Sequence, residues 1–591
     1  MCSIPLENKR PILSLEGGQL KLHNPNEHLI IQSKAVSKSI SVVSSFRFLR
    51  RWEQLPIIAR FQQSQLMFNN ANQPTNQQQV HRQPGILVQL TSSGLNQIVQ
   101  TLDKVLNEEL PNFSMQHLPS AVLLIHTFEV EELRVLSFHS PETFTVELQP
   151  NSNDQLKVMV RNLDFSLRIT VSSNMIGLRQ ATFSVFASNV GFNIGLSLSS
   201  DSEGNLNLQV GDCQFAMRKV VTLVDEVKGL RIFSNVARSV IKNQLKIFVN
   251  SRLCDFLREQ IPKEVSNYFQ AHSNKMSIWN KSSRNYIASR GDQSDALVNH
   301  FDKAFSQIVV DTGLVGNPVV KSNGDVLYLQ SGLKGDVLIN GKLSTNVKAK
   351  FIPTKQLTGN KMLYIGLSEY IASGFLNSLF EIGALNVTLN SQMLPDMKSF
   401  LQTTCDGFCF GTFLPNVAEE YPEHSLEIYF STLKVPLVNF QSENIKLKLV
   451  GLLEIRIQSE KEKISIFNAN AKMEANFKLY SKSDRVFGQA EIPVLEISPV
   501  GVIDMGDLMM EMLNEIPRNV IEEKLNHLLK SGFALPAFEM FRLKNVNLVH
   551  TPGAIWVDLD FDFSKAEMHK IVHTILHQKI ALLPDFTQQL F

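Results

Sequence analysis

The feature that most limits the folds open to this chain is an order of elements that it spells twice: short strand, amphipathic helix, alternating strands, long helical stripe. Ile86 to Leu90 reads as a strand, and Leu95, Ile98, Val99, Leu102, Val105 and Leu106 then recur at helical spacing until Pro111 stops the helix. Gln155 to Val171, Thr182 to Ser199 and Asn205 to Val210 alternate apolar and polar residues, with polar turns such as Asp201 to Asn205 between them. A mostly helical segment is predicted from Arg218 to about Phe269, its stripe including Val221, Val224, Val227, Ile232 and Val236.

The second passage begins with a strand at Leu363 to Leu367. A helix follows near Ser368 to Phe380, with Tyr370, Ile371, Phe375, Leu376, Leu379 and Phe380 on its apolar side. Strands are predicted at Ala384 to Leu389, Ser425 to Phe430, Asn444 to Gln458, Lys463 to Ala471 and Met473 to Tyr480. A second long stripe runs through Leu508, Met512, Leu513, Ile516, Val520 and Leu525. Finally Ala554 to Phe563 sets Val557, Leu559, Phe561 and Phe563 against Asp558, Asp560 and Asp562, the pattern of a strand with one buried and one solvated face. The repeated order predicts two similar α+β domains in place of one large core.

Composition agrees with that plan. The 591 residues are 43% hydrophobic and 19% charged, enough to bury large cores, and the net charge of +1 gives no whole-chain attraction to nucleic acid. No run of 18 apolar residues is present. The first 82 residues read differently. They lack the apolar core of a signal peptide, and 12 of the 22 residues from Gln62 to Gln83 are Asn or Gln, so a disordered leader is expected. Within it Phe46 to Phe61, with Trp52 beside Arg50 and Arg51, has a second reading as a basic membrane-surface helix.

Enzyme chemistry finds little foothold. The sequence has no G-x-S-x-G elbow, H-E-x-x-H, phosphate loop or G-x-G-x-x-G, and no catalytic residue is nominated, which leaves a lipase or esterase as the distant alternative. His569, His573 and His577 stack at i, i+4, i+8 in the tail, but three imidazoles along about 12 Å of one helix cannot close a tetrahedral site, so neither metal nor cofactor is expected. The same tail carries an apolar stripe through Met568, Ile571, Val572, Ile575 and Leu576 that needs cover, from the chain itself or from a lipid surface.

Wording adds to pattern. MLYIGLSEY, GALNVTLNSQMLP and FGTFLPNVAEEYP between Lys361 and Pro415, and EEKLNHLLKSGFALP at Glu522 to Pro536, resemble the lipid-binding family of lipopolysaccharide-binding protein, bactericidal/permeability-increasing protein and the cholesteryl ester and phospholipid transfer proteins. The resemblance implies a boomerang of two barrel-like domains, each a twisted antiparallel sheet with a long and a shorter helix, joined by a central sheet. It divides the chain into a leader (1–82), an N-terminal lipid-binding barrel (83–310), linker and central-sheet strands (311–360), a C-terminal barrel (361–563) and an amphipathic tail (564–591) that docks on the protein, as the family's cholesteryl ester transfer protein covers its own N-terminal pocket.

It further implies apolar pockets between helices and sheet for a phospholipid or other acyl-chain lipid. On this chain the lining positions become Leu95, Ile98, Val99, Leu102, Val221, Val224, Ile232 and Val236 in the first barrel, and Ile371, Phe375, Leu379, Leu513, Ile516 and Val520 in the second. Lipid surfaces, lipoproteins and bacterial lipopolysaccharide are the implied partners, and secretion the implied location. Against lipopolysaccharide stands a first barrel that is neutral overall, with Glu129, Glu131 and Glu132 early in it. The family's single disulfide maps onto Cys213 and Cys254, whereas Cys405 and Cys409 either bridge locally or stay free. Asn112, Asn280 and Asn386 begin acceptor triplets for glycosylation.

Overall fold

The computed structural model describes residues 12–16, 19–24, 27–32, 82–116, 121–123, 126–174, 178–229, 238–239, 242, 253–271, 274–277, 303–343, 351–392, 397–458, 464–483, 485–501, 506–534, 541–573 and 576. The chain divides into two compact units, Met1–His81 and Arg82–Phe591. In the first, where the sequence predicts disorder, Ile12–Glu16, Gln19–Asn24 and Glu27–Gln32 pair as an antiparallel sheet. Alternating Leu13, Leu15, Leu20 and Leu22, with two glycines between the first two strands, favour a hairpin there. The Asn/Gln-rich run to residue 81 and Phe46 to Phe61 lie outside the described residues.

In the second unit the N-terminal half runs β1 (Ile86–Thr91), α1 (Ser92–Glu109), β2 (His126–His139), β3 (Leu156–Ser173), β4 (Leu178–Ser200), β5 (Leu206–Gly229) and α2 (Leu253–Ala271). The Thr91 side chain caps α1 by accepting from the Gly94 N–H. Gly94 has no room for a Cβ, which would meet Leu90 Cδ1 and Met362 O at 2.7 Å, so a glycine lets the helix start lie directly on its neighbours. Strands β5, β4, β3 and β2 pair in that order in an antiparallel sheet. Asn162 in β3 (φ 56°) and Asn189 in β4 (φ 55°) take left-handed conformations, and the β3–β4 register slips between Ala187 and Val190. Asp164 accepts the Asn189 N–H at 2.7 Å and fixes this bulge, which bends the two long strands together.

The helix expected from Arg218 is a correction. β5 continues to Gly229, so Val221, Val224 and Val227 sit on a strand; beyond it residues 238, 239 and 242 are helical and helix α2 is described over Leu253–Ala271, so the expectation fails over its first part alone. Spacings of three among those valines mimic a helix, yet four of the five residues Val220–Val224 are β-branched, and pairing with β4 decides it. Cys213 of β5 and Cys254 of α2 are disulfide-bonded, their Cα atoms 5.7 Å apart. Cys405 and Cys409 form a second, local bridge.

The C-terminal half contributes β6 (Val326–Leu333), β7 (Asp336–Ile339), β8 (Leu363–Ser368), α3 (Glu369–Glu381), β9 (Leu426–Thr432), β10 (Ile445–Ile457), β11 (Ile464–Lys482), β12 (Arg485–Pro499), α4 (Gly506–Ser531), β13 (Phe541–Thr551), β14 (Ala554–Phe563) and α5 (Lys565–His573). The two strands expected between Lys463 and Tyr480 are the single strand β11. Strands β9 to β12 pair in sequence order as an antiparallel sheet. Helix α4 lies along the last of them by a polar ladder. Asn514, Glu522 and Asn526 accept the backbone N–H groups of Ile497, Ile492 and Ala490 at 2.7, 2.9 and 2.9 Å, and Asn526 also donates to Ala490 O. An edge strand's free hydrogen-bonding groups are thereby satisfied from a helix.

Both halves meet in a six-stranded sheet ordered Val319–Asn323, β6, β1, β8, β14, β13. Here Leu90 pairs with Leu363, and Leu363 with Leu559. Strand β14 is buried on both faces from Ala554 to Leu559, which corrects the half-solvated reading for Asp558, while Asp562 near its end keeps a partly exposed side chain. Asp558 is paired with Lys355, Asp560 with Lys361 at 3.3 Å, and Asp562 with Lys544. Alternation in the sequence cannot show that the polar face has cations waiting for it. Beside this sheet Tyr370 donates to Asp336 at 2.8 Å, with Arg82 on the same carboxylate oxygen. Burial, then the Asp336 contact, pushes the Tyr370 phenol up to about 12.

Three outcomes follow. Asn526→Leu should cost about 1–3 kcal/mol, read by denaturant unfolding, because the Ala490 N–H and C=O lose their partner. Tyr370→Phe should cost about 1 kcal/mol, and in the native protein the stability that the raised phenol supplies should be full below pH 10 and fade as pH climbs toward about 12, a loss the variant lacks. Cys213→Ala should lower stability by up to roughly 4 kcal/mol through the loop of 41 residues it opens, with the C-terminal sheet still folded by hydrogen exchange.

Candidate lipid-binding site

The first-barrel positions divide between two environments. On α1, Leu95 and Val99 are buried against Val146, Leu148, Leu156 and Leu198, while Ile98 and Leu102 border a cluster of Val105, Phe113 and Val135. These four side chains therefore sit in closed packing, not beside an open gap. For Ile98 and Leu102 the reason is visible at the far end of the chain: α5 lays Met568 and Val572, followed by Leu576, onto that same cluster.

On β5, Val224 pairs with Phe183 and Val221 with Phe186, three residues apart, so the two valines point to opposite faces of the sheet. They cannot line one pocket together. Val221 is 38% exposed beside Phe186 at 40%, whereas Val224 is half-buried on the face that carries Phe183, Val185 and Ala187, all at most 1% exposed. That second face continues through Ile169, Val171 and Val130 into an apolar wall built by four long strands. Ile232 and Val236 lie outside the described residues.

In the C-terminal half, Ile371, Phe375 and Leu379 of α3 pack on Ile86, Ala304, Ile308, Val310 and Val337, with the Phe375 and Phe305 rings 5.3 Å apart. They belong to the junction with the central sheet and do not face the β9–β12 sheet. Ile516 and Val520 of α4 do, bordering Ile455, Phe467, Ala469 and Ile497; the Leu513 side chain is outside the described residues. The polar ladder that seats α4 there was not anticipated, although Asn514, Glu522 and Asn526 at i, i+8, i+12 on one helix face were a readable signal.

The tail is held electrostatically as well. His569 places Nδ1 2.8 Å from Glu109 Oε1 and Nε2 2.9 Å from Glu108 Oε2, and Lys565 Nζ lies 2.5 Å from Glu108 Oε1. The Lys565 hydrogen bond first, then His569, holds the Glu108 carboxyl below its ordinary range. So the preference for docking on the protein is met through residue 576, and both His569 nitrogens are engaged by carboxylates; His577 lies outside the described residues. Of the glycosylation triplets, Asn386 is half-buried with its carbonyl accepting the Thr432 N–H at 2.9 Å, while the side chains of Asn112 and Asn280 are outside the described residues. Among the described residues, no helix is long and apolar enough to cross a membrane and no cluster of three metal-ligating side chains occurs.

Comparison with known proteins places this architecture. Residues 303–563 match the model of the C-terminal domain of the LBP / BPI / CETP family. Human lipopolysaccharide-binding protein is 22% identical over 476 residues, 79% of this chain and 91% of its own. Rat bactericidal permeability-increasing protein is 21% identical over 490 residues, 81% of this chain and 93% of its own. A crystal structure of lipopolysaccharide binding protein aligns over 81% of this chain and 99% of its own, at 16% identity and a TM-score of 0.43. Over residues 303–563 the chain is thus similar to the C-terminal domain of the LBP / BPI / CETP family, and along about four fifths of its length it is similar to a lipopolysaccharide-binding and a bactericidal permeability-increasing protein.

Proposed function

We propose that this protein binds phospholipid or another acyl-chain lipid against the apolar faces of its helix-covered sheets and moves it between lipid surfaces or lipoproteins, as a secreted, non-enzymatic carrier. The observation that carries this reading is the apolar face of the N-terminal sheet that runs from the half-buried Val224 past Phe183 and Val185 to Ile169, Val171 and Val130. Each methylene of a chain laid on such a surface gains about 0.8 kcal/mol, so binding needs no charged anchor. Bacterial lipopolysaccharide is a second reading, favoured by the names of the relatives that align along most of the chain. Its acyl chains suit the same wall. The basic excess that would meet its phosphates lies between Arg218 and Glu264, where ten basic residues stand against five acidic ones.

The division into barrels at 83–310 and 361–563, with a linker at 311–360, remains part of this proposal, as does glycosylation at Asn112, Asn280 and Asn386. The lining set is revised by the placements above. Val224 stays, being half-buried at the edge of the apolar face, and Val221 is set aside because it faces the other way.

Native mass spectrometry with lipid extraction of the purified protein should recover co-purifying phospholipid; extraction of lipid A in its place would select the second reading, and an empty protein that takes up neither would end both. Val224→Arg should reduce bound lipid several-fold, since an unpaired cation on that face cannot be desolvated beside acyl chains. Val221→Arg, on the exposed face of the same strand, should leave lipid content and folding unchanged.

A further inference from the structure

The outer face of the C-terminal sheet carries apolar side chains where a solvated face calls for polar ones. After Thr432, which stands opposite Gly451, the chain spends four residues, Leu433 to Pro436, before Leu437 takes its place opposite Lys448, while β10 covers the same gap with Leu449 and Val450 alone. The excess makes the strand bow out of the sheet, still tied by the Leu433 N–H donating to Val450 O at 3.0 Å. On this bulge Leu433 and Leu437 are 52% and 67% exposed, and Val435 and Val450 are exposed beside them. Lys448 and Val450 point away from the side on which Leu453 and Ile455 meet the core, and Leu437 shares their side because it stands opposite Lys448.

Lysines border the group. Lys434 lies between Leu433 and Val435, exposed and without an ion pair among the described residues. Lys446 and Lys448 share a single carboxylate, Glu474, at 2.6 and 2.8 Å, and Lys472, opposite Val450, pairs with Glu496 at 3.2 Å. Four ammonium groups thus stand against two carboxylates; Glu443 lies farther off, in the turn beyond Phe440. We propose that this bulge is a landing site for an anionic lipid surface, Leu433, Val435 and Leu437 entering the headgroup layer while Lys434, Lys446 and Lys448 meet the negative charge of the lipids.

Two observations select a lipid surface over a protein partner. A stable protein interface takes about 800 Å² and 20–30 residues from each side, and four apolar side chains on one bulge supply a small part of that. A lipid surface needs no matching shape: a few apolar side chains inserted shallowly, with cations at the same level, suffice for reversible attachment. The charge excess is of the sign such a surface attracts. This inference rests on the proposed function for its purpose, since a carrier that exchanges lipid has to touch the surface and leave it again.

The test uses the purified full chain and sedimenting vesicles of phosphatidylcholine, alone or with about one fifth phosphatidylserine. The parent should bind the anionic vesicles about ten-fold more tightly than the neutral ones. Leu433→Ser combined with Leu437→Ser should weaken attachment to anionic vesicles about ten-fold. Lys434→Gln should weaken it about five-fold there and leave neutral vesicles unaffected. Val435→Trp should strengthen attachment about three-fold, a gain that misfolding cannot produce. Val319→Ser, at an exposed apolar position on the edge of the central sheet, should behave as the parent. Equal binding of both vesicle types by the parent overturns the proposal, as does parent-like attachment of the double serine variant. A parent that is dimeric in solution, made monomeric by the double variant with vesicle attachment unchanged, also overturns it and gives the bulge to a second copy of this chain. Bound lipid is read separately by native mass spectrometry. A parent that is empty yet attaches as expected supports the landing site while ending the carrier reading, and a lipid-loaded parent that attaches to neither vesicle overturns the landing site alone.

Discussion

The structure depends first on the antiparallel pairing of β1 with β8. These strands come from positions almost 280 residues apart, and their ladder, from Ile86 opposite Leu367 to Leu90 opposite Leu363, is the seam between the two halves. Both flanks build outward from it, through β6 on one side and β14 on the other. Every strand at its centre is covered on both faces, so any charge there needs a partner at hand. Asp558 and Asp560 on β14 have theirs in Lys355 and Lys361. Burial of such pairs gives little net stability, but removing one member leaves a charge without water or counterion, so the register of this sheet tolerates few alternatives.

Much of the plan was legible because it is written in local periodicity. The α1 stripe, the alternating spans of β3, β4, β10 and β11, and the wording around β8 and α3 each need only neighbours in sequence to be read. Failures fall where a distant partner decides. Val221, Val224 and Val227 satisfy helical spacing, and only the presence of β4 alongside makes them a strand. The aspartates of β14 alternate as a solvated face would, and only Lys355 and Lys361 make the face around Asp558 and Asp560 an interior. The candidate site suffered in the same way. Leu95, Ile98, Val99 and Leu102 are an apolar stripe in either case, and whether such a stripe lines a cavity or a core depends on distant partners, Val146 to Leu198 for Leu95 and Val99, and α5 from the other end of the chain for Ile98 and Leu102.

Two devices attach helices to sheets here, and they differ in kind. Helix α4 is fixed by amide and carboxylate side chains that complete the hydrogen bonding of β12, a directional attachment that specifies register along the strand. Helix α5 is fixed by apolar contact with charges only at its rim. Apolar contact is non-directional and tolerates sliding or release, whereas losing the amide ladder strands backbone groups away from water. One helix is thus fixed in register by directed hydrogen bonds and the other held by buried apolar area.

The seam between β1 and β8 also imposes a schedule on the nascent chain. Strand β1 is made early but its ladder partners at Leu363 to Leu367 come far later, and the far side of β8 waits again for Ile555 to Leu559. At synthesis rates of about 5–20 residues per second, that interval is on the order of a minute from first strand to last. Until Val326–Leu333 and then Leu363–Leu367 emerge, Ile86–Thr91 presents two bare edges, in a segment of six residues that carries Ile, Val and two Leu with no charge at all. Helper proteins that mask extended apolar segments during translation would find their natural target there.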